Sequence, residues 1–388
     1  MINELPDVNV SYKLLDVIYK DINMFKYVYR KIDKPIVLYG AGNLGKMAKE
    51  YFNKLNIPFL FVIDKNASQC EKDPYWEGIS VIHPEIVSTS VKKSCRIINC
   101  IVTSPYNEIE DYLNEMGFDD VIPFYDITLL YQNIHPLNNG WVTGSLSEKD
   151  IDNIKYVLST LNDNISRAYY LQFIAWHTLR EEWIFKDAPI TNDNRYFIPE
   201  IISILNNNET FIDIGAHHGE VTIKFMNIIN NKFNFIYIID PDIQNMYVLL
   251  ENMRSKMNNY NICISQKALG KKKEMKRFYC GLDYSSQLSD LGNKKIQIEK
   301  LDDLNIKPSF IKIHTEGNED DVIMGGLKTI IKYRPIIVTT CYHNRKGLWQ
   351  IPLSLIESLE NYIYYFRLHS WCGTGAVIYA IPSERTLK

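Results

Sequence analysis

The 388-residue sequence is 46% hydrophobic and 12% aromatic, with a formal net charge of −3. That length and composition allow two globular domains, and the near-neutral charge gives no electrostatic reason to expect nucleic acid as a partner. Seven scattered cysteines form no C-x-x-C pair, which argues against a zinc cluster or a disulfide framework and favours a reducing compartment.

Residues 1–16 lack the basic start and apolar core of a secretory signal. No apolar run approaches the roughly 18 residues of a membrane-spanning helix. We therefore expect a cytoplasmic protein with no integral membrane segment.

The first predicted unit is a small Rossmann-like domain over residues 1–130. A lead-in helix within residues 1–33 is expected to pack on this domain. The apolar strand at residues 35–39 runs into a glycine-rich loop, residues 40–45 (GAGNLG), and then into a helical pattern. The next apolar strand ends in Asp64. Strand, G-x-G-x-x-G, helix, strand and acid in this order predict a nucleotide-binding fold.

Shorter strands at residues 78–84, 96–101 and 121–123 complete this domain. Through residues 37–42 (VLYGAG) and 78–84 (GISVIHP) it resembles the N-terminal nucleotide-binding domains of sugar-modifying proteins from bacterial polysaccharide pathways. A dehydrogenase or epimerase would need a Tyr-x-x-x-Lys pair after the loop, and residues 46–126 contain none. We therefore favour binding or scaffolding, and leave open whether residues 40–45 bind a nucleotide sugar, NAD or no ligand.

Residues 131–195 are predicted to be helical and to join two domains. Residues 147–150 (SEKD) predict the N-terminal cap of a helix whose apolar face includes Ile151, Ile154 and Val157. A second helix is predicted from about Ser166.

The second predicted domain covers residues 196–388 and begins with residues 210–220 (TFIDIGAHHGE). There a buried strand carrying Asp213 ends in a turn with Gly215 and Gly219 and passes into a helical pattern. The glycines allow close backbone approach, and the helix start supplies free N–H groups for an anionic group.

Polar residues follow the ends of the strands in this domain. The strand at residues 235–239 ends in Asp240, which is placed to accept hydrogen bonds from both hydroxyls of a ribose. Asp-x-Gly in place of G-x-G-x-x-G favours S-adenosylmethionine over NAD as the adenosine ligand. Further polar residues at strand ends are His217, Gln266, His314, Glu316 and His343. Ligands bind at the carboxyl ends of parallel strands, so we expect these side chains to converge there.

The whole pattern predicts an α/β protein with two Rossmann-like domains joined by a helical segment. Strands at residues 309–317 and 335–340 extend the second sheet. Apolar runs at residues 363–368 and 376–381, linked by Gly-Thr-Gly, predict an antiparallel hairpin that closes it.

Five ordered motifs between residues 196 and 385 resemble the FkbM-type S-adenosylmethionine-dependent methyltransferases. They are residues 212–220 (IDIGAHHGE), 240–242 (DPD), 268–270 (ALG), 301–304 (LDDL) and 311–319 (IKIHTEGNE). The resemblance implies a Rossmann-like methyltransferase sheet and methylation of an oxygen, commonly on a sugar or a secondary metabolite. The family usually has Glu at the position of Asp240 and commonly has Asp at the position of His314.

These motifs define the candidate site residues. The candidates for binding S-adenosylmethionine are Asp213, Gly215, His217, Gly219, Asp240, Gln266 and Glu316. A sugar hydroxyl is a poor nucleophile and needs a base, for which a histidine is suited. His314 and His343 are the first candidates for that base and His369 the third, while Glu316 would orient the base or bind the cofactor's amino group. No metal is expected, because the acids at residues 318–321 are more simply the start of a helix.

The resulting prediction is an O-methyltransferase acting on a sugar hydroxyl in surface polysaccharide (capsule or lipopolysaccharide) biosynthesis. The acceptor could be free, nucleotide-linked or lipid-linked. Late aromatic and basic residues such as Tyr342, Arg345 and Arg367 are suited to stacking on the sugar or anchoring its phosphate. Two alternatives stay open: an NAD-dependent nucleotide-sugar oxidoreductase or dehydratase using the first domain, and a non-catalytic nucleotide-binding assembly protein. The sequence also leaves homo-oligomer formation open.

Overall fold

The computed structural model describes residues 2–22 and 29–386. Those residues form three β-sheets, of five, seven and four strands, with helices around them, which confirms the predicted α/β fold class. None of the helices in these two ranges is long and apolar enough to cross a membrane. Residues 23–28 of the predicted lead-in helix lie outside the described residues.

The first sheet is parallel throughout and has the strand order β3-β2-β1-β4-β5. Its strands are β1 (Ile36–Tyr39), β2 (Phe59–Ile63), β3 (Val81–Ile82), β4 (Arg96–Asn99) and β5 (Val121–Pro123). The strand order reverses direction between β1 and β4, and ligands of open α/β sheets bind in the crevice at such a point. The predicted glycine loop follows β1 and therefore borders this crevice.

The helices up to this point are α1 (Val8–Ile22), α2 (Asn43–Lys54), α3 (Ala67–Cys70), α4 (Thr89–Ser94), α5 (Tyr106–Glu115) and α6 (Phe124–Leu130). The expectation that α1 packs on the first domain is wrong. Its buried residues Leu15, Ile18 and Ile22 belong to the hydrophobic core of the second sheet. These residues form an apolar face that packs in one core with the apolar helices that follow the first domain in the chain.

Two helices follow the first domain, α7 (Glu148–Thr160) and α8 (Asn164–Leu179). The predicted cap of α7 is confirmed as a capping box, in which Ser147 Oγ accepts a hydrogen bond from the Asp150 amide and the Asp150 carboxylate accepts one from the Ser147 amide. α8 is buried over nearly its whole length, and both helices share a core with the second sheet.

The second sheet has the order β15-β16-β14-β13-β6-β7-β8. Its strands are β6 (Thr210–Ile214), β7 (Phe235–Ile239), β8 (Ile262–Ser265), β13 (Phe310–Ile313), β14 (Ile336–Thr340), β15 (Tyr362–Leu368) and β16 (Ala376–Pro382). β14, β13, β6, β7 and β8 run parallel, and β16 pairs antiparallel with β14 and β15. The predicted closing hairpin is confirmed.

The helices of this part are α9 (Pro199–Ile202), α10 (Glu220–Ile228), α11 (Ile243–Met257), α12 (Glu319–Gly325), α13 (Leu327–Tyr333) and α14 (Gln350–Ser358). The third sheet lies in the chain between β8 and β13. It consists of β9 (Ala268–Leu269), β10 (Glu274–Tyr279), β11 (Gln287–Leu288) and β12 (Lys294–Glu299). The prediction of one strand and its exit loop over residues 261–270 does not include this small sheet.

Candidate active site

A buried ion pair contacts the glycine loop after β6 from the protein interior. Asp213 Oδ1 lies 2.9 Å from Lys312 Nζ, and Asp213 Oδ2 accepts a hydrogen bond from Thr222 Oγ1 at 2.7 Å. Lys312 Nζ also donates to the Gly215 carbonyl at 2.6 Å. The Asp213 and Lys312 side chains are 0% and 2% exposed. Asp213 thus lies beneath the loop and fixes its position, instead of pointing into a ligand cavity.

Gly215 and Gly219 are required by the shape of the loop. Their φ angles are +75° and +88°, in the region that favours glycine. A Cβ on Gly215 would lie 1.7 Å from the His314 carbonyl oxygen, and one on Gly219 would lie 2.7 Å from the Leu249 side chain. α10 begins at Glu220, immediately after the turn. The loop therefore brings the N-terminus of α10 to the carboxyl ends of β6 and β13.

Asp240 closes the same loop from the end of β7. Its Oδ2 accepts a hydrogen bond from the His217 amide at 2.8 Å, and its Oδ1 accepts one from the Asp242 amide at 2.9 Å. Burial raises the pKa of Asp240 to about 6. The first domain repeats this arrangement, because the Ala41 amide donates to Asp64 Oδ2 at 2.8 Å.

A narrow slot of about 70 Å³ lies beside Asp240. Its apolar walls are formed by Ile239, Pro241, Ala268, Leu269, Phe278 and Leu288. Each carboxylate oxygen can accept more than one hydrogen bond, so Asp240 can still bind ribose hydroxyls. An acid beside apolar walls fits the adenosine part of the predicted S-adenosylmethionine. Gln266 is exposed and donates to the Pro241 carbonyl at 3.3 Å, outside the lining of the slot.

His314, Glu316 and His343 meet at the carboxyl ends of β13 and β14. Glu316 Oε1 lies 3.0 Å from His314 Nε2 and 3.1 Å from His343 Nε2. The side chains are 18% exposed for His314, 6% for Glu316 and 0% for His343. The structure thus brings together three of the four residues predicted as catalytic candidates, and His369 is the exception.

Two further side chains contact Nδ1 of each histidine, the ring nitrogen that faces away from Glu316. His343 Nδ1 lies 2.7 Å from Glu319 Oε1, and His314 Nδ1 lies 2.9 Å from the Tyr196 hydroxyl. Glu316 and His314 border the cavities of the site, whereas His343 is enclosed behind Glu316. This geometry gives His343 a positioning role and leaves Glu316 and His314 in reach of a ligand.

The buried charges of this group influence one another. Burial lowers the pKa of His314 to about 3, against the opposing effect of Glu316. Burial lowers the pKa of His343 too, but the Glu316 and Glu319 carboxylates outweigh it and raise that pKa well above its ordinary value. Burial raises the pKa of Glu316, yet His343 and His314 hold it below its usual range. At neutral pH, and with no other cation at the site, His314 is neutral, His343 is positively charged and Glu316 is ionised.

A cavity of about 730 Å³ lies between the first and second sheets. The first domain contributes residues that include Gly40, Gly42, Asp64 and Thr103, and the second contributes the loop after β6 together with His314 and Glu316. The residues that border both this cavity and the slot are Gly215, His217, Tyr284, His314 and Glu316. The two glycine loops of the chain therefore face one space.

Arg195, Tyr196 and Tyr342 border this cavity. Tyr342 is one of the late aromatic residues expected to stack on a sugar, whereas Arg195 and Tyr196 were not predicted. One Nη of Arg195 donates to the Tyr342 hydroxyl at 2.6 Å, and the guanidinium lies 5.0 Å and 5.4 Å from the ring centroids of Tyr196 and Tyr342. Arg195 Nε is buried and has no hydrogen-bond partner, and no carboxylate in the described part of the chain pairs with this arginine. Arg195 lies in a loop with no apolar period that could have identified it.

Other predicted candidates serve the packing of the second domain. His369 lies 2.9 Å from the Thr191 carbonyl through Nδ1 and 2.8 Å from the Tyr379 hydroxyl through Nε2. Arg367 pairs with Asp163 and Glu200, at 2.7 Å and 2.8 Å. Arg345 lies 3.3 Å from Asp150, at the start of α7. The structure does not bring these side chains to the cavity.

Comparison with known proteins gives one family match and likenesses to solved structures. Residues 213–367 match the model of the methyltransferase FkbM domain. The chain is similar to the solved methyltransferase FkbM from Methylobacillus flagellatus KT, at 14% identity and a TM-score of 0.66, with 96% of this chain and 100% of that chain covered. Two further likenesses are to precorrin-6y C5,15-methyltransferase from Geobacter metallireducens GS-15 (14% identity, TM-score 0.31, 50% and 93% covered) and a putative caffeoyl-CoA O-methyltransferase from Staphylococcus aureus (14%, 0.33, 50% and 85%). No curated protein matches the chain.

The second sheet, its glycine loop and the acid after β7 define an S-adenosylmethionine-dependent methyltransferase. Residues 213–367 form a methyltransferase domain of the FkbM type, as the five sequence motifs predicted. The likeness to the Methylobacillus flagellatus structure covers nearly the whole chain, so the shared fold includes the first domain as well. The resemblance of the first domain to polysaccharide-pathway proteins stays a prediction.

Proposed function

We propose that this protein transfers a methyl group from S-adenosylmethionine to a sugar hydroxyl in the biosynthesis of a surface polysaccharide. The observation that carries the proposal is the position of Glu316 and His314, which border both the slot and the large cavity. A cofactor in the slot and an acceptor in the cavity would meet at these two side chains.

When bound, S-adenosylmethionine supplies a methyl group on a positively charged sulfur. The protein must then hold the acceptor oxygen in line and let its proton leave. Glu316 Oε1 and His314 Nε2, 3.0 Å apart, form a polar pair that can receive the hydroxyl. If His314 donates Nδ1–H to the Tyr196 hydroxyl, its Nε2 carries a lone pair that can take the proton. His343, behind Glu316, keeps the carboxylate ionised.

The lining of the large cavity favours an acceptor that carries a negative charge. Arg195 borders it without a carboxylate partner in the described part of the chain, and a partly buried guanidinium is strongly stabilised by an anion. The loop at residues 40–45 faces the same space and presents the N-terminus of α2, which begins at Asn43. A sugar linked to a nucleotide or to a lipid phosphate would match both features.

Calorimetric titration with S-adenosylhomocysteine tests the cofactor half of the proposal. Wild type should bind, and Asp240→Ala should lose most of the affinity because the ribose loses its acceptor. Asp64→Ala, which changes the matching acid of the first domain, is the control and should keep S-adenosylhomocysteine binding. Equal binding by Asp240→Ala and wild type would place the cofactor elsewhere.

A methyl-transfer assay tests the acceptor half. Radiolabelled S-adenosylmethionine would be incubated with nucleotide sugars, free sugars and lipid-linked glycans, and the methylated product located by mass spectrometry. We expect label on a sugar oxygen, with Glu316→Gln reducing the rate. Label that appears on nitrogen or carbon, or on none of these acceptors while S-adenosylhomocysteine binds, would refute the sugar hydroxyl as the acceptor.

A further inference from the structure

We infer that His314, Glu316 and His343 bind a divalent transition-metal ion. One ligand atom from each lies within 4.8 Å of the others, and Glu316 Oε1 is 3.0 Å and 3.1 Å from the two Nε2 atoms. Adjacent ligands that sit at about 2.1 Å from one ion and at right angles are about 3 Å apart. The two distances from Glu316 Oε1 therefore match adjacent positions in the coordination shell of one metal ion.

The outer nitrogens of both histidines are fixed as metal-binding histidines require. A ligating histidine donates its other ring N–H to a carboxylate or another acceptor, which aims the lone pair at the ion. Here Glu319 Oε1 lies 2.7 Å from His343 Nδ1, and the Tyr196 hydroxyl lies 2.9 Å from His314 Nδ1. Glu319 is itself held by the Thr340 hydroxyl at 2.9 Å and the Gly317 amide at 3.0 Å.

The surroundings of His343 Nε2 fit a metal-ligand atom. This nitrogen is buried without a hydrogen-bond partner, although Glu316 Oε1 lies 3.1 Å away. When His343 donates Nδ1–H to Glu319, Nε2 carries a lone pair that faces a carboxylate. Such a pair of electron donors requires a cation between them, which is either a second proton on His343 or a metal ion.

Two imidazoles and one carboxylate favour Mn²⁺, Fe²⁺, Co²⁺ or Zn²⁺ over Mg²⁺, which prefers oxygen ligands. Three protein ligands leave positions open, and His314 and Glu316 border the large cavity on that side. An acceptor hydroxyl could occupy one of these positions, where the ion would lower its pKa. That role rests on the proposed function, whereas the metal site itself does not. With the ion bound, His314 Nε2 is a ligand, so the role of His314 as the base applies only to the metal-free site.

A second group of side chains could also hold a metal ion, so the experiment needs a control that tells the two groups apart. His217, His218 and Glu220 also place one ligand atom each within 4.8 Å of the others, at the partly exposed start of α10. His218→Ala removes a ligand from that group and leaves the inferred site intact. It is therefore the matched control for substitutions at Glu316 and His314.

The test is metal retention by the full chain. Protein stripped with a chelator would be dialysed against Zn²⁺, Mn²⁺ or Co²⁺, and the bound metal counted by mass spectrometry beside thermal unfolding. Wild type and His218→Ala should retain one ion per chain and unfold at a higher temperature with metal, because the ion binds the folded state. Glu316→Gln and His314→Gln should lose both effects. His314→Asp, which replaces nitrogen by oxygen, should retain an ion and shift its preference from Zn²⁺ towards Mn²⁺.

Folded Glu316→Gln and His314→Gln proteins that retain as much metal as wild type would overturn the inference. So would a wild-type chain that retains none, which would leave a proton on His343 as the cation. Retention lost in His218→Ala alone would assign the ion to the start of α10 and also overturn it. Metal retention without methyl transfer to any sugar would refute the proposed function and leave the metal site standing.

Discussion

At the scale of single residues, the ion pair of Lys312 and Asp213 supports the methyltransferase loop from inside the protein. The pair is enclosed, and Lys312 also donates to the Gly215 carbonyl. Removing one partner of a buried pair leaves an uncompensated charge and a carbonyl without its donor. The stability of the fold and the shape of the glycine loop after β6 therefore depend on the same two side chains.

Lys312→Met should lower the free energy of unfolding by about 3–5 kcal/mol, because Asp213 is left buried and unpaired. It should also weaken S-adenosylhomocysteine binding, since the loop loses a donor. Chemical denaturation and calorimetry measure the two effects. Lys328→Met, an exposed lysine on α13, is the control and should change the unfolding free energy by less than about 0.5 kcal/mol. A Lys312→Met chain as stable as the control would show that the pair does not hold the loop.

Asp120 makes a pH-dependent contribution to the first domain. Burial raises its pKa, but hydrogen bonds and charges from Arg96, Lys34 and Arg30 outweigh this and bring the pKa to about 2. An unfolded aspartate titrates near about 4, so the ionised carboxylate stabilises the fold above that pH. The stabilisation is lost as the pH falls from about 4 through 2.

Asp120→Asn should therefore lower the unfolding free energy by about 1–2 kcal/mol at pH 7, a range that allows for the screening of the half-exposed Arg30 and Lys34. The difference from wild type should shrink as the pH falls from 4 towards 2. Asp119→Asn, which breaks an exposed pair with Lys93, should change little at any pH. Denaturant unfolding across this pH range measures both variants, and an Asp120→Asn deficit that does not depend on pH would contradict the assignment.

The residues at the site differ in how far the sequence could predict them. Asp240, His314, Glu316 and His343 follow apolar strands, and the rule that parallel strands end at one edge brought them together. Arg195 reaches the same cavity from a loop that has no period or motif. Its hydrogen bond to Tyr342 crosses 147 positions of the chain, and nothing local encodes such a contact.

At the scale of elements, the glycine loop of the first domain depends on close backbone contact. A Cβ on Gly45 would lie 2.0 Å from the Gly40 carbonyl oxygen, while a Cβ on Gly42 would meet no atom within 4 Å. Gly45→Ala should destabilise the first domain and displace the start of α2, whereas Gly42→Ala should not. Thermal unfolding followed by circular dichroism measures the difference. Equal stability of the two variants would show that the loop relaxes around the added methyl group.

The strands of the two larger sheets were predictable because they are buried apolar runs that end in glycine or in a polar residue. The small sheet was missed for the opposite reason. β10 and β12 carry charged residues on an exposed face, and β9 and β11 have two residues each. Two-residue strands and half-polar strands have little apolar pattern of their own, so the pairing within residues 268–299 left no clear signal in the sequence. Yet Phe278 and Leu288 of this sheet complete the slot beside Asp240.

At the scale of the whole molecule, two Rossmann-like sheets present their carboxyl ends to one cavity. A change in the first domain should therefore affect the acceptor without affecting the cofactor. Thr103→Trp would fill part of the cavity from the first domain and should raise the acceptor KM by about tenfold, or about 1.4 kcal/mol of binding. S-adenosylhomocysteine affinity should stay unchanged. Thr89→Trp, at an exposed position on α4, is the control, and an unchanged acceptor KM in Thr103→Trp would separate the first domain from acceptor binding.

The packing of α1 has a consequence for how the protein is made. α1 ends at Ile22, and its partner helix α7 begins only at Glu148, with the first domain between them in the chain. On the ribosome, an interval on the order of ten seconds separates the synthesis of the two, at typical elongation rates. During that interval the apolar face of Leu15, Ile18 and Ile22 has no partner, while the first domain can already fold. The methyltransferase core therefore includes a segment that is synthesised before the first domain and can dock only after α7 and α8 have appeared, and a nascent chain stalled before α7 would keep that face open to chaperones.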